Sequence, residues 1–295
     1  MNNDLHTYLK DNKKFIDQAL LNYLDQKGPA SLLSAMTYSI KAGGKRLRPI
    51  LMIATAEALG SSREVCVPVA CALEMIHTYS LIHDDLPSMD NDDFRRGQPT
   101  NHKVYGEGMA ILSGDALLTH AFYVLGEGKR FLDAETVLRL YQMLAEAAGP
   151  TGMVGGQVLD LEAEEQQTPL DSLENIHRNK TGALLRFSII AGAIIGNASE
   201  EELSTLHTFA AHLGLAFQIK DDILDVEGDV DVIGKPIGSD EVNHKSTFPS
   251  LLTLDGAKQR LSQEVEMAEQ ALTRLHLSES SMLRAITHYM VQRVS

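Results

Sequence analysis

Cysteine is scarce: the 295-residue chain has two, Cys66 and Cys71, five apart in a stretch of helical spacing. That excludes a disulfide framework, favours a reducing compartment, and leaves both as small core residues. An excess of positive charge is also missing, since 40 acidic side chains outnumber 26 basic ones for a formal charge of −14. A nucleic-acid backbone or an anionic membrane surface is therefore not the main partner, and any anion must be met by local clusters of cations. No stretch reaches the roughly 18 uninterrupted apolar residues that a spanning helix needs, and the opening "MNNDLHTYLKDNKKF" has no continuous apolar run of the signal-peptide kind. The chain is expected to be soluble and cytoplasmic. Internal repeats, low-complexity tracts and long linkers are absent too, so residues 1–295 are expected to form one domain.

What is present is apolar and helical. Hydrophobic residues make up 44% of the chain, enough for a large core. They recur at helical rather than alternating spacing: Val69, Leu73 and Ile76, for example, or Leu206, Phe209, Ala210 and Leu213. The fold class is therefore all-α, a bundle of about ten or more helices. Glycine and proline punctuate it at "KAGGKRLRP", "EALGSS", "AAGPTG" and "IGNASE". Thr168 before Pro169 reads as a helix cap, and Ser199 with Glu202 as a capping box.

Two acidic segments interrupt this apolar pattern. In "LIHDDLPSMDNDDFRRG" the carboxylates Asp84, Asp85, Asp90, Asp92 and Asp93 follow a helical run, and Pro87 breaks the helix so that Asp90 can return toward the first pair. Carboxylates at a helix C-terminus oppose the macrodipole, a poor place for idle aspartates. A calcium loop is excluded because Phe94 and Arg95 stand where a ligand and a glycine would be needed. In "FQIKDDILDVEGD", Gln218, Asp221, Asp222 and Asp225 fall at i, i+3, i+4 and i+7, one stripe of a helix. Buried carboxylates without partners would neutralise or destabilise the fold, so this stripe points to a lined cavity or to bound cations. Hard oxygen ligands suit Mg²⁺, whose shell is usually completed by water and substrate phosphate.

Cations complement these anions. "KAGGKRLRP" sets Lys45, Arg46 and Arg48 on a turn whose glycines, Gly43 and Gly44, let backbone approach an anion, although the Walker spacing is absent. His77 lies seven residues before Asp84, on the same helix face. Further cations are Arg95, Arg96, Lys180, Lys235 and Lys245.

Taken together, "GGKRLRP", "DDLPSMD", "RRG", the Lys180–Thr181 pair and "DDILD" resemble the trans-isoprenyl diphosphate synthase family over residues 30–250, with the likeness strongest to its bacterial farnesyl diphosphate synthase branch. The resemblance implies a helical fold around a deep central cavity. It implies that Asp84, Asp85 and Asp90 face Asp221, with Asp222 and Asp225 nearby, and hold three Mg²⁺ on an allylic diphosphate that Arg95, Lys180 and Lys235 also neutralise. Lys45, Arg48, His77 and Arg96 would bind the diphosphate of isopentenyl diphosphate. Thr181 and Gln218 would face the allylic cation with oxygen dipoles, and the departing diphosphate would take the proton. The substrates implied are isopentenyl, dimethylallyl and geranyl diphosphate, the product (2E,6E)-farnesyl diphosphate, and the assembly a homodimer. The glycines before Gln157 and Asp160 suit close helix packing, and Ser239 fits the small residue the family often has in "GKPIGSDE".

Product length needs a floor to the cavity. Helical spacing favours Ser80, four residues before Asp84, whereas the family pattern favours Tyr79, five before it. A geranylgeranyl diphosphate synthase is the close rival. A non-catalytic subunit of a heteromeric synthase is the rival of another class, although such subunits usually lose one acidic motif and this chain keeps both.

Overall fold

In the computed structural model, residues 2–164, 168–227, 246–275 and 281–292 are described, and they are almost wholly helical. The chain packs as two compact units, one of Met1–Glu57 with Ser61–Tyr141, the other of Ala58–Gly60 with Gln142–Ser295.

The first unit contains α1 (Asn2–Leu24), α2 (Ala30–Lys41), α3 (Leu47–Ala58), α4 (Arg63–Asp84), the short α5 (Asn101–Tyr105), α6 (Glu107–Gly126), a 3-10 turn at Glu127–Arg130 and the start of α7 (Ala134–Ala148). α4 is its centre, packed by α1, α2 and α6. Thirteen of its 22 residues are buried, including Cys66 and Cys71, both free thiols. By length and average composition Arg63–Asp84 and Glu107–Arg130 could each cross a bilayer. In α4 that apolarity is used in the core of the unit. α6 differs, leaving Ile111, Leu112 and Tyr123 exposed beside the polar Asp115 and Thr119.

One feature departs from a purely helical expectation. Phe94–Arg95 and Gln98–Pro99 form a minimal antiparallel hairpin, β1 and β2, pairing Phe94 with Pro99 and Arg95 with Gln98. Its two central residues, Arg96 and Gly97, have φ of 55° and 74°. Positive φ at both is the condition for a type I′ turn, which matches strand twist.

The second unit contains the end of α7, α8 (Met153–Ala163), α9 (Leu170–Lys180), α10 (Gly182–Ile195), α11 (Glu200–Glu227), α12 (Phe248–Arg274) and α13 (Met282–Gln292). α11 packs chiefly on α12 and α10. Leu206, Phe209, Ala210 and Leu213 are buried, as their spacing predicts. The Ser199 box forms, with Ser199 N and Oγ donating to Glu202 at 2.7 and 2.9 Å. Thr168 is not the cap of α9: Pro169 holds that position and no side chain caps the helix. An extended proline fixes the entry by its own φ and lacks only an N–H that the helix end would leave unpaired.

Candidate active site

The basic turn follows α2. Gly43 and Gly44 take φ of 85° and 143°, the range that favours glycine. Gly44 is also needed for space, since a Cβ there would lie 2.7 Å from the Arg96 guanidinium. Lys45 is exposed and Arg48 half-buried. Arg46 departs from the reading that groups it with them: it is 2% exposed and turned into the core, on Asp17 and Glu74.

Arg48 Nη1 lies 3.3 Å from His77 Nε2. Arginine has no lone pair to offer, so Nε2 accepts, the ring is neutral and its proton sits on Nδ1. The electrostatics agree, because burial of the ring, reinforced by Arg48, Arg96, Arg95 and Arg46, pushes the His77 pKa well below the usual 6.5. The sequence grouping of Arg48 with His77 is thus met in space.

Seven residues further along α4, the helix stops at Asp84, with Asp85 as its cap. The chain then doubles back: Asp90 N donates to Asp84 O at 2.9 Å, and Asn91 takes a positive φ of 53°. Asp90 therefore returns to the end of α4, as Pro87 suggested. The five aspartates divide by role. Asp85, 3% exposed, accepts from Arg95 Nε at 2.6 Å. Asp93 pairs with Lys103 at 2.6 Å and Asp92 with Arg95 at 3.4 Å, while their carbonyls accept from Thr100, so these two tie the loop down. Asp84 and Asp90 are half-buried. The hairpin turn also separates the adjacent arginines, Arg95 going to Asp85 and Arg96 to Gly44.

Behind Asp84, Tyr79 is 6% exposed and meets His83 edge-on, ring centroids 5.7 Å apart. Burial raises its phenol pKa, with Asp84 adding to the effect. His83 in turn lies against Gly114 of α6, where any Cβ would collide with the imidazole, and its Nε2 is 3.1 Å from Ile111 O. Ser80 bends back on its own helix, donating to His77 O at 2.9 Å.

In the second unit, α11 carries the other acidic stripe. Gln218, Asp221 and Asp225 are half-buried, whereas Asp222 is 3% exposed and accepts from Phe248 N, the first residue of α12, at 2.9 Å. His177, stacked on Phe248, lies 3.6 Å from the same oxygen. A carboxylate at a helix N-terminus satisfies an orphan N–H and the macrodipole together. Asp222 therefore anchors α12, a role its place in the stripe does not announce. The helical run breaks at Thr181, between α9 and α10. Lys180 donates to Asp160 at 2.6 Å, and Gly156 admits the Lys180 backbone where a Cβ would collide with it, so the α8 glycine serves packing as expected. Lys235, Ser239 and Lys245 lie outside the described residues.

Among the described residues no three His, Cys, Asp or Glu side chains converge on one point. Magnesium takes one or two carboxylates and completes its octahedron with water and phosphate oxygens, so the carboxylates of either unit, Asp84 and Asp90 in the first or Asp221 and Asp225 in the second, are donors of the kind it takes.

Comparison with known proteins gives one consistent result. The polyprenyl synthetase family profile matches residues 29–280. The farnesyl diphosphate synthase of Geobacillus stearothermophilus is 55% identical over 271 residues, 90% of each chain, and that of Bacillus subtilis (strain 168) is 52% identical over 281 residues, 95% of each. The crystal structure of an FPP/GFPP synthase from Zymomonas mobilis superposes with a TM-score of 0.88 at 41% identity, covering 99% of this chain and all of that one.

Proposed function

Because the chain belongs to the polyprenyl synthetase family, we propose that it is a prenyltransferase joining isopentenyl diphosphate to dimethylallyl and then geranyl diphosphate, with farnesyl diphosphate as product. The observation that carries this reading is on α4. One helix bears two unlike groups: His77 with Arg48 beside it, able to meet an anion directly, and the Asp84 carboxylate where the helix ends, able to meet one only through a bound cation. Seven residues of helix separate them by roughly 10 Å. A single diphosphate has no use for both, whereas two diphosphate substrates, one whose C–O bond breaks and one whose bond is kept, do.

In this reading Lys45, Arg48, His77 and Arg96 hold isopentenyl diphosphate by hydrogen bonds and charge. The allylic diphosphate goes to the carboxylate end of α4, Asp84 and Asp90, with Asp85 holding Arg95 in place, and Asp221 and Asp225 are the candidate magnesium ligands of the second unit. Magnesium, when bound by such carboxylates, would supply Lewis acidity to the leaving group. Arg95 adds N–H donors to the leaving oxygens, which favours the separated charges over the intact ester, and Lys180 is the cation that the second unit offers to a diphosphate. The allylic C–O bond breaks with its electron pair on the diphosphate, and the isopentenyl double bond attacks the resulting carbon. Thr181 and Gln218 offer oxygen dipoles to the cation, and the departed diphosphate accepts the proton lost in forming the new double bond. Tyr79 limits chain growth. The exposed apolar side chains of α6, Ile111, Leu112 and Tyr123, favour a homodimer, because large apolar groups left together on a surface are stabilised by covering them.

Incubation of the protein with Mg²⁺, isopentenyl diphosphate and each of dimethylallyl, geranyl and farnesyl diphosphate, followed by chromatography of the dephosphorylated alcohols, tests this. The first two partners give the C15 alcohol and the third is not extended. Absence of condensation with all three overturns the activity, and accumulation of C20 overturns the product.

A further inference from the structure

Arg46 stands in the sequence between Lys45 and Arg48, the two cations given above to isopentenyl diphosphate. By charge it would join them, but its side chain is taken up entirely by the protein. Nε donates to Asp17 on α1 at 2.7 Å, Nη1 to Glu74 on α4 at 2.7 Å, and Nη2 to the Ile40 carbonyl in the last turn of α2 at 2.6 Å. All three nitrogens of the fork are used, each on a different helix. The backbone at Arg46 is also committed: φ is 53°, left-handed for a residue with a side chain, and its carbonyl accepts from Ile50 N at 3.0 Å in the first turn of α3. A non-glycine residue holds such a conformation only where its surroundings over-determine it.

The geometry closes a ring. Glu74 is three residues before His77 on α4, so the two lie on the same side of the helix. His77 meets Arg48, and Arg48 is two residues from Arg46. Two braces therefore join the turn to α4, one buried (Arg46–Glu74, with side chains 1% and 2% exposed) and one at the site (Arg48–His77). The left-handed residue makes this possible by sending Arg46 inward while Lys45 remains exposed and Arg48 half-buried. The charge of Arg46 is matched by Glu74 and Asp17, so it is not available to a ligand.

We propose that Arg46 is a positioning residue for the isopentenyl diphosphate site: its clamp on Asp17, Ile40 and Glu74 fixes the turn against α4, so that Lys45 and Arg48 present their N–H groups beside His77. This rests on the assignment of that diphosphate to Lys45, Arg48 and His77. It is distinct from a general role in stability, because a buried ion pair exchanged for apolar side chains of similar volume is often neutral for folding. Such an exchange keeps the core filled and removes only the three directed bonds that set the turn.

The test is the double variant Arg46→Met with Glu74→Leu, measured by steady-state kinetics with each substrate varied in turn and by thermal unfolding followed by circular dichroism. Arg48→Ala is the benchmark for losing the site directly. The double variant is expected to melt cooperatively near the wild-type temperature, to raise KM for isopentenyl diphosphate about tenfold or more, and to leave KM for geranyl diphosphate within about twofold. Arg46→Lys, which keeps the charge but not the fork, gives a smaller rise in the same constant alone. Unchanged KM for isopentenyl diphosphate, or an equal rise in both constants, overturns the proposal. Should the double variant fail to fold, Arg46→Lys and Asp17→Asn decide by the same ratio of constants. A wild type that consumes no isopentenyl diphosphate overturns the functional reading and this inference with it, whereas normal wild-type turnover beside unaltered variant constants overturns this inference alone.

Discussion

Asp84–Asp85 at the end of α4 and Asp221–Asp222 within α11 are the same dipeptide in two settings. In each pair the second aspartate is buried, 3% exposed in both cases, and the first is half-buried. The holders differ. Asp85 is gripped by a cation, Arg95, brought back by a loop and a hairpin turn, while Asp222 is gripped by a backbone N–H and anchors the start of α12. The first pair is built by stopping a helix, the second by continuing one. Burying a carboxylate demands a partner, and the nearest architecture supplied it: arginine where the chain was already turning, a helix N-terminus where it was not. What the two settings share is that the second aspartate of each pair is buried against a partner while the first stays the more exposed of the two.

The strongest way to break this comparison is to remove the outward members. Asp84→Ala and Asp221→Ala should each lower kcat by about 10³-fold or more, the scale of losing one preorganised charge contact in a transition state. Their melting curves should stay close to wild type, and near-normal turnover in either variant would sink the division of roles. Next in size is the inward pair. Asp222→Ala leaves Phe248 N–H buried without its acceptor and should lower unfolding free energy by about 1–3 kcal/mol in urea titrations. Asp221→Ala should change it far less, and equal losses would mean that Asp222 is no anchor.

A third variant sharpens the contrast in what lies behind each pair. Only the α4 pair has a buried phenol five residues upstream, so Tyr79→Ala should lengthen the product beyond C15 at a similar rate of isopentenyl consumption. An unchanged C15 alcohol would move the floor to α6, against which His83 rests. The smallest effect concerns His77. Its folded pKa is depressed, while the unfolded chain takes up the proton near the usual 6.5. The unfolded state therefore binds more protons below that pH, and stability is full above 6.5 and declines as pH falls toward the folded pKa. His77→Gln should flatten that decline in melting temperature between about pH 7 and 5, and an unaltered slope would assign it to other groups.

Much of this was legible without coordinates where the cause is local. Helical periodicity, the stop at Asp84, the Ser199 box and the permissive glycines of the basic turn each depend on residues within a few positions of one another. The hairpin was within reach on the same terms, since Arg96–Gly97 offers a glycine at the second central position of a two-residue turn. Long-range pairing was not. Nothing near Arg46 marks it as different from Lys45 and Arg48; its carboxylate partners lie 29 residues before and 28 after it. Asp222 is set apart from Asp221 by Phe248, 26 residues on, and by His177, 45 before it. A helical stripe reports which side chains share a face, not which edge of that face another helix will cover.

The two thiols buried in α4 have a practical consequence. Burial pushes Cys66 up to about 12 and Cys71 also well above the usual thiol range. Near neutral pH neither supplies the thiolate that maleimides and haloacetamides attack. The chain also contains no tryptophan. The native molecule is therefore a blank background: one cysteine introduced at an exposed position such as Lys129 would carry the only reactive sulfur, and one introduced tryptophan the only indole emission. Dye labelling, spin labelling or single-tryptophan fluorescence could then follow substrate binding site by site, without first stripping any residue from the core.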